Sequence, residues 1–146
     1  MPQVSKSIEI SAPRERVFQE AADPVKQPDW ALLLNRVELT QGDGRTLGSK
    51  QAWQFKVGPR AQNLEATVTR FVENEYVSRE ATGALALEES MNFVALDPNL
   101  TRVHWTFEYT PPLGRLGRLL DLVLVNRVFQ NDVETSLEAL KARLET

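Results

Sequence analysis

The stretch GRLGRLLDLVLVNRVFQNDVETSLEALKARLE, residues 114–145, decides the fold. It contains no proline and, after its first residue, a single glycine. Its apolar residues recur mostly at steps of three and four, as on an amphipathic helix: Leu116, Leu119, Val123, Phe129, Val133, Leu137, Leu140 and Leu144. A helix of this length needs an apolar surface to lie against. The preceding residues, which read mainly as strands, supply a curved antiparallel sheet, and the space between sheet and helix suggests a ligand.

Length and composition indicate one ordinary globular domain, which we expect to span residues 1–146. Hydrophobic residues make up 42% of the chain and charged residues 25%, so the chain can bury a sizeable core. The formal net charge of −3 argues against nucleic acid as a partner. Cysteine is absent, no run of about 18 apolar residues occurs, and the N-terminus does not resemble a signal peptide. We therefore expect a cytoplasmic protein without disulfides or a transmembrane helix.

Seven segments before residue 114 have the alternation or the bounding turn residues of strands: residues 4–10, 34–40, 49–57, 63–73, 76–82, 85–96 and 101–110. Two short helices are predicted between the first two strands. The first has Ser11 as its cap, Pro13 in its first turn, and Val17 and Phe18 on its apolar side. The second runs from residue 24 towards residue 33 and carries Trp30.

Two stretches carry a resemblance to a known family: the opening strand with Ser11-Ala12-Pro13, Val17-Phe18, Asp23-Pro24 and Trp30, and the closing LEALKARLE at residues 137–145. Together they resemble a START-like, polyketide cyclase/dehydratase-type domain of the Bet v 1 superfamily (SRPBCC). The resemblance covers nearly the whole chain. It implies an α+β helix-grip fold, in which a curved seven-stranded antiparallel sheet surrounds a long C-terminal helix. It also implies an apolar ligand held between sheet and helix.

Strand alternation predicts which side chains face the enclosed space. The inward set is strongly aromatic and comes from three strands: Trp53, Phe55, Met91, Phe93, Trp105, Phe107 and Tyr109. Two interpretations stay open, because these residues either fill a solid core or line a cavity. Large rings on a concave sheet favour binding of planar or isoprenoid-like compounds. We count these residues, with Trp30, as candidate ligand-binding residues.

Polar side chains on the same inner face are candidates for chemistry or ligand orientation. Glu89 is the best internal acid, and Arg79 on the neighbouring strand is its candidate partner, although the inward face of that strand is ambiguous. Burial among apolar residues favours the neutral carboxyl group, whereas an adjacent arginine favours the carboxylate. Gln51, Asn126 and Gln130 are candidate ligand-binding residues. A bulge or a strand end would instead place any of these side chains in solvent.

Other signals argue against several activities. His104 is the only histidine and its parity places it on the outer face, so we expect no metal site. Residues 42–50 are superficially similar to a phosphate-binding loop, but they fit neither glycine motif and lead into a strand. We interpret them as a hairpin loop. No nucleophile elbow occurs and no cysteine nucleophile is available, and we expect no cofactor.

Residues 119–125 are apolar nearly all around the predicted helix. If one face of this helix packs on the sheet, three apolar residues remain unpacked: Leu120, Leu124 and Leu113. An apolar surface over residues 113–125 suggests a homodimer contact, a transient membrane-surface contact or a portal to the cavity. The alternative is that the second short helix and neighbouring loops cover it.

We expect a protein that binds a hydrophobic small molecule, such as a lipid, a quinone or a polyketide-like compound. The alternative is a cyclase or dehydratase acting on a polyketide-like substrate, in which Glu89 or Arg79 moves protons or stabilises an enolate. A third hypothesis is an interaction module that uses the apolar helix surface.

Overall fold

The computed structural model describes residues 2–110 and 119–146, with the side chains of all of these except residues 119–122. Within them the elements run in the order β1 (Gln3–Ile10), α1 (Arg14–Ala22), a 3₁₀ turn (Gln27–Asp29), β2 (Leu34–Gln41), β3 (Lys50–Val57), β4 (Arg60–Val72), β5 (Tyr76–Gly83), β6 (Ala86–Asp97), β7 (Leu100–Thr110) and α2 (Leu119–Leu144). The strands form one antiparallel sheet in the order β1-β7-β6-β5-β4-β3-β2. The predicted helix-grip architecture is confirmed.

Two turns fix the register of the central strands. Gly58 (φ 58°) and Pro59 turn β3 directly into β4, which therefore begins at Arg60, three residues earlier than the sequence suggested. Asn74 takes a left-handed conformation (φ 65°) in the turn between β4 and β5, as short polar side chains tolerate. These turns set the pairing of Trp53 with Leu64 and of Ala66 with Ala81 across the sheet.

The predictions for the first connection need two corrections. Ser11 does not cap α1, since Pro13 occupies the cap position and no side chain bonds to it. The Ser11 backbone N–H instead donates to the Glu145 carboxylate at 2.8 Å. The predicted second helix is a single 3₁₀ turn, because Pro28 has no N–H to donate to the carbonyl of Pro24.

The helix α2 lies against the inner face of the sheet, chiefly along β1 and reaching β3. Its buried positions repeat at helical spacing and are at most 4% exposed: Phe129, Val133, Leu137, Leu140 and Leu144. Lys141 and Arg143 in the last turn suit the negative end of the helix dipole. Residues 114–118, where the sequence predicts the helix to begin, lie outside the described residues.

Two hydrogen bonds attach the middle of α2 to the rest of the fold. Asp132 accepts from the backbone N–H of Gly58 at 2.9 Å. The Ser136 hydroxyl accepts from the backbone N–H of Leu32 at 2.9 Å and donates to the Asp132 carbonyl at 2.6 Å. Asp132 and Ser136 are four positions apart and therefore share one side of the helix, so their bonds to two separate loops fix the rotation of α2 over the sheet.

Candidate functional site

The inner face of the sheet carries a continuous aromatic wall. The aromatic residues and Met91 that were predicted to face inward from β3, β6 and β7 are all at most 3% exposed: Trp53, Phe55, Met91, Phe93, Trp105, Phe107 and Tyr109. Neighbouring ring centroids are 5.0 Å apart for Trp105 and Phe107 and 6.1 Å apart for Phe55 and Phe107. These separations are those of rings in direct contact. Much of the wall is therefore packed core.

The wall is closed where it meets the first connection. Phe93 packs edge-on against Phe18 of α1, with centroids 5.1 Å apart. Trp30, a predicted ligand-binding residue, packs on Trp105 at 5.2 Å and donates its indole N–H to the Glu20 carbonyl at 3.3 Å. At this end the aromatic residues hold α1 and the 3₁₀ turn on the sheet.

Glu89 and Arg79, the two predicted catalytic residues, form a fully buried ion pair. They face each other directly across β5 and β6, with 2.9 Å between Arg79 Nη1 and Glu89 Oε1. The second carboxylate oxygen, Oε2, accepts the indole N–H of Trp105 at 2.8 Å. Arg79 Nη2 donates to the carbonyl of Ala22, the last residue of α1, at 3.0 Å. The pair thus connects two strands, a tryptophan and a helix end.

This geometry limits what Glu89 can do. An ionised carboxylate is an acceptor only, and here each oxygen already has a donor. Burying both charges costs desolvation energy. Removing either partner is nevertheless strongly destabilising, because it leaves the other charge buried and unpaired. The arrangement therefore suits a role in holding the interior together or orienting a ligand better than proton transfer.

Gln51 and Trp53 form a second buried polar pair, as neighbours on the inner face of β3. The Trp53 indole N–H donates to Gln51 Oε1 at 2.8 Å. Gln51 is fully buried, and its Nε2 has no hydrogen-bond partner among the described residues. A buried amide donor without an acceptor is rare in folded proteins and calls for an explanation.

Tyr109, Asn126 and Gln130 form a polar chain between the end of β7 and the first half of α2. Asn126 Nδ2 donates to the Tyr109 hydroxyl at 2.9 Å, and Gln130 Nε2 donates to Asn126 Oδ1 at 2.5 Å. All three are predicted ligand-binding residues. The structure brings them together on the side of the interior that faces away from α1.

The burial of α2 against the sheet decreases from its C-terminal half to its N-terminal half. Val133 and Leu137 are completely buried, whereas Val125, Asn126 and Gln130 are only half-buried. On the outward side, Val123 and Leu124 are 55% and 57% exposed. The apolar surface predicted for residues 113–125 is thus present at these two positions. Leu113 lies outside the described residues and the side chain of Leu120 is not described.

The outer face of the sheet carries a different kind of depression, with a volume of about 430 Å³. Glu88 lies on it directly opposite both Glu80 and Glu108 in the strand pairing. His104 lies on the same face, where its Nδ1 and the Ser7 hydroxyl are 2.9 Å apart. No group of three or more histidine and acidic residues suited to a metal ion occurs in the described part of the chain.

Some buried polar residues of the interior were not predicted. Gln27 is fully buried in the 3₁₀ turn and donates from Nε2 to the Ala21 carbonyl at 3.0 Å. Ser136 is fully buried on α2. Only Ser136 had a sequence signal, because it lies one position before Leu137 and three after Val133 on the buried side of the predicted helix.

Fold and site together define a helix-grip domain with an aromatic interior. A model of the family described as polyketide cyclase / dehydrase and lipid transport matches residues 1–145. The chain belongs to this family.

Known proteins resemble this chain in sequence or in fold. An uncharacterized protein of Mycobacterium tuberculosis (strain CDC 1551 / Oshkosh) is 30% identical over 111 residues, which are 73% of this chain and 47% of that protein. The chain thus spans about half the length of this relative.

Solved structures show the same fold. A protein from Thermus thermophilus has a TM-score of 0.82 at 21% identity, covering 98% of this chain and 97% of its own. A START superfamily protein from Mycobacterium smegmatis has a TM-score of 0.79 at 19% identity, covering 98% and 97%. An aromatase/cyclase from Streptomyces sp. R1128 has a TM-score of 0.82 at 13% identity, covering 99% and 93%. At these identities the likeness concerns the fold.

In the part of the chain that the structure describes, no helix is both long and apolar enough to cross a membrane.

Proposed function

We propose that this protein binds a hydrophobic small molecule, such as a lipid, a quinone or a polyketide-like compound, between the sheet and the first half of α2. One observation carries the proposal. The aromatic wall continues to Trp53 and Tyr109, beyond the region where α2 is fully buried, and half-buried Asn126 faces it there. An apolar wall with a few convergent polar groups is the usual composition of a small-molecule site.

The end of the interior beside α1 is a poor binding site, and this supports placing the ligand at the other end, beside the first half of α2. Beside α1, Phe18 packs on Phe93, and Trp30 packs on Trp105. A ligand would have to displace α1 to enter. At the α2 end, by contrast, exposed Val123 and Leu124 offer an apolar approach.

The family also includes enzymes by its description, and the Streptomyces neighbour is an aromatase/cyclase. The catalytic alternative for this chain rests on Glu89 and Arg79. Because both oxygens of Glu89 and two nitrogens of Arg79 are already bonded within the protein, we favour binding over catalysis. Glu89→Gln separates the two: lost turnover with retained ligand affinity indicates catalysis.

Native mass spectrometry of the protein purified from its own host tests the binding proposal. We expect a species heavier than the chain, and we expect the extra mass to disappear in a denatured sample because the ligand is not covalently attached. A protein that is always recovered at the mass of the bare chain, and that takes up no compound from lipid or quinone mixtures, would contradict the proposal.

Hydrogen exchange locates the bound compound. We expect it to slow amide exchange at residues 123–130 and at the start of β3, because those segments border the proposed site. Residues 133–144 serve as the internal control, since they are sealed on the sheet in either state. Protection confined to α1 would place the ligand at the wrong end.

The exposed apolar residues of α2 leave a homodimer or a transient membrane-surface contact as further hypotheses. One solved neighbour is an Aha1 dimer from Colwellia psychrerythraea, with a TM-score of 0.67 at 19% identity. Sedimentation of Leu124→Asp beside the unchanged protein tests the dimer. A cytoplasmic location likewise stays an expectation.

A further inference from the structure

Gln51 Nε2 is a buried hydrogen-bond donor for which the described residues supply no acceptor. We propose that Gln51 Nε2 donates a hydrogen bond to an oxygen of the ligand, and that the ligand is therefore a neutral apolar compound bearing a carbonyl or hydroxyl group. The inference rests on the proposed function, because it names the chemistry that the same interior would select.

The orientation of the Gln51 amide is fixed by Trp53. An indole N–H is a donor only, so at 2.8 Å it must face the amide oxygen rather than the amide nitrogen. A flipped amide would set two donors against each other. The two N–H groups of Nε2 therefore point away from Trp53, and no described residue accepts them.

The neighbours of Gln51 explain why no side chain accepts them. The inner-face row across the sheet continues through Ala66, Ala81, Leu87 and Tyr109. The first three offer no polar side-chain atom, and the Tyr109 hydroxyl lies four strands away, where it is bonded to Asn126. On the other side Gln51 pairs with Leu39, which is also apolar. Ala66 beside the amide and Ala81 one strand further on also keep side-chain bulk low, which lets a flat compound approach the sheet.

Three other buried polar atoms lack partners in the described part of the chain, and none competes as a recognition group. Arg14 Nε belongs to the first residue of α1, outside the proposed site. Gln27 Oε1 lies in the 3₁₀ turn beside α1, at the closed end of the interior. Arg79 Nε belongs to a guanidinium whose other two nitrogens are bonded. The charge of Arg79 is balanced by Glu89, so this interior selects against a fatty-acid anion.

The gain in ligand affinity depends on whether the Gln51 donor is hydrated before the ligand binds. A typical hydrogen bond contributes little, because both partners give up water to form it. Gln51 Nε2 is already shielded from water in the folded protein, so a ligand oxygen there adds a bond without stripping water from the donor. Sites with a buried donor discriminate well against analogues that lack the acceptor.

The test compares 2-methyl-1,4-naphthoquinone with 2-methylnaphthalene, two flat probes of similar size that differ in their carbonyl oxygens. The chain has no cysteine, so thiol addition to the quinone does not interfere. We expect the quinone to bind at least about tenfold more tightly, and to shift the side-chain amide NMR signals of Gln51. The hydrocarbon should leave those signals in place.

Gln51→Met is the decisive variant, and Gln27→Met is its matched control, since both remove a buried glutamine with one bonded and one unpaired amide atom. We expect only Gln51→Met to lower quinone affinity, by about tenfold, with hydrocarbon affinity unchanged within about twofold. Gln51→Met also leaves the Trp53 N–H unpaired. A second comparison, between Trp53→Phe and the double variant Gln51→Met/Trp53→Phe, measures the effect of Gln51 on affinity without that unpaired N–H.

The outcomes separate the two proposals. Equal binding of both probes, unaffected by Gln51→Met, would overturn the role of Gln51 and leave the binding function standing. Binding of neither probe would count against both. Tight binding of the quinone with unchanged Gln51 amide signals would also overturn the role of Gln51, because a buried water rather than the ligand would then satisfy the donor.

Discussion

At the residue scale, the buried pair of Arg79 and Glu89 is the most informative feature of the interior. Alternation along β6 placed Glu89 inside. The orientation of Arg79 had a usable signal as well, because Val77 and Ala81 share its face and both are buried. What no pattern showed was that Trp105 and Ala22 complete the hydrogen bonds of the pair, since they come from distant parts of the chain.

We expect Glu89→Gln to lower the free energy of unfolding by about 3–5 kcal/mol, because Arg79 would keep its charge in the interior without a counter-charge. Adding Arg79→Met should restore part of the loss by removing that charge. Urea unfolding at neutral pH measures both effects.

The exposed pair of Glu9 and Arg102, with 2.8 Å between oxygen and nitrogen, is the matched control. Glu9→Gln should cost less than about 1 kcal/mol, because solvent screens that pair. A double variant less stable than Glu89→Gln alone would show that the unpaired charge is not the cause.

At the scale of elements, α2 combines a sealed half with a looser half. The sealed half follows from its apolar repeat, which the sequence showed. Its rotation over the sheet follows from Ser136 and Asp132, which bond to the backbone N–H groups of Leu32 and Gly58. A helix wheel identifies the buried stripe, but it cannot identify which loops bring unpaired N–H groups to it.

We expect Ser136→Ala to destabilise the protein by about 1–3 kcal/mol, because the buried N–H of Leu32 loses its acceptor. Thr135→Ala, at the exposed neighbouring position, should change stability by no more than about 0.5 kcal/mol. Thermal or urea unfolding measures both. Equal effects of the two substitutions would mean that helix propensity, rather than the lost bond, is responsible.

At the scale of the whole molecule, the end of α2 is tied to the first connection. Glu145 accepts from Lys141 Nζ and from the backbone N–H of Ser11, both at 2.8 Å. Lys141 Nζ also donates to the carbonyl of Glu9 at 2.7 Å. Residues more than 130 positions apart thereby close the fold at one corner.

The hydrogen bond from Lys141, followed by that from Ser11, lowers the pKa of the Glu145 carboxyl below its ordinary value. A depressed carboxyl pKa stabilises the fold above the ordinary pKa, and this stabilisation is lost as pH falls through the lowered one. We therefore expect Glu145→Gln to remove part of the acid sensitivity measured by urea unfolding across that range.

Glu138→Gln is the control, because Glu138 lies on the same helix and forms no ion pair with the described residues. It should leave the pH dependence as it is. NMR titration of Glu145 provides a direct measurement, and a carboxyl that titrates at or above its ordinary pKa would contradict the assignment.

The sequence by itself determined the helix-grip fold, the strand order along the chain, the family and the inward aromatic set. These follow from local periodicity and turn residues, which act over a few positions. It did not determine the short 3₁₀ turn, where Pro28 overrides the apolar pattern of its neighbours.

Only the tertiary structure decided what each inward residue contacts. Trp53 and Trp105 lie on the inner face by the same alternation, yet Trp53 is bonded to Gln51, whereas Trp105 is bonded to Glu89 and packs on Trp30. The difference arises because α1 and the buried half of α2 cover one part of the sheet. Which elements cover which part is set by contacts between residues far apart in the chain, and alternation within a single strand carries no information about them.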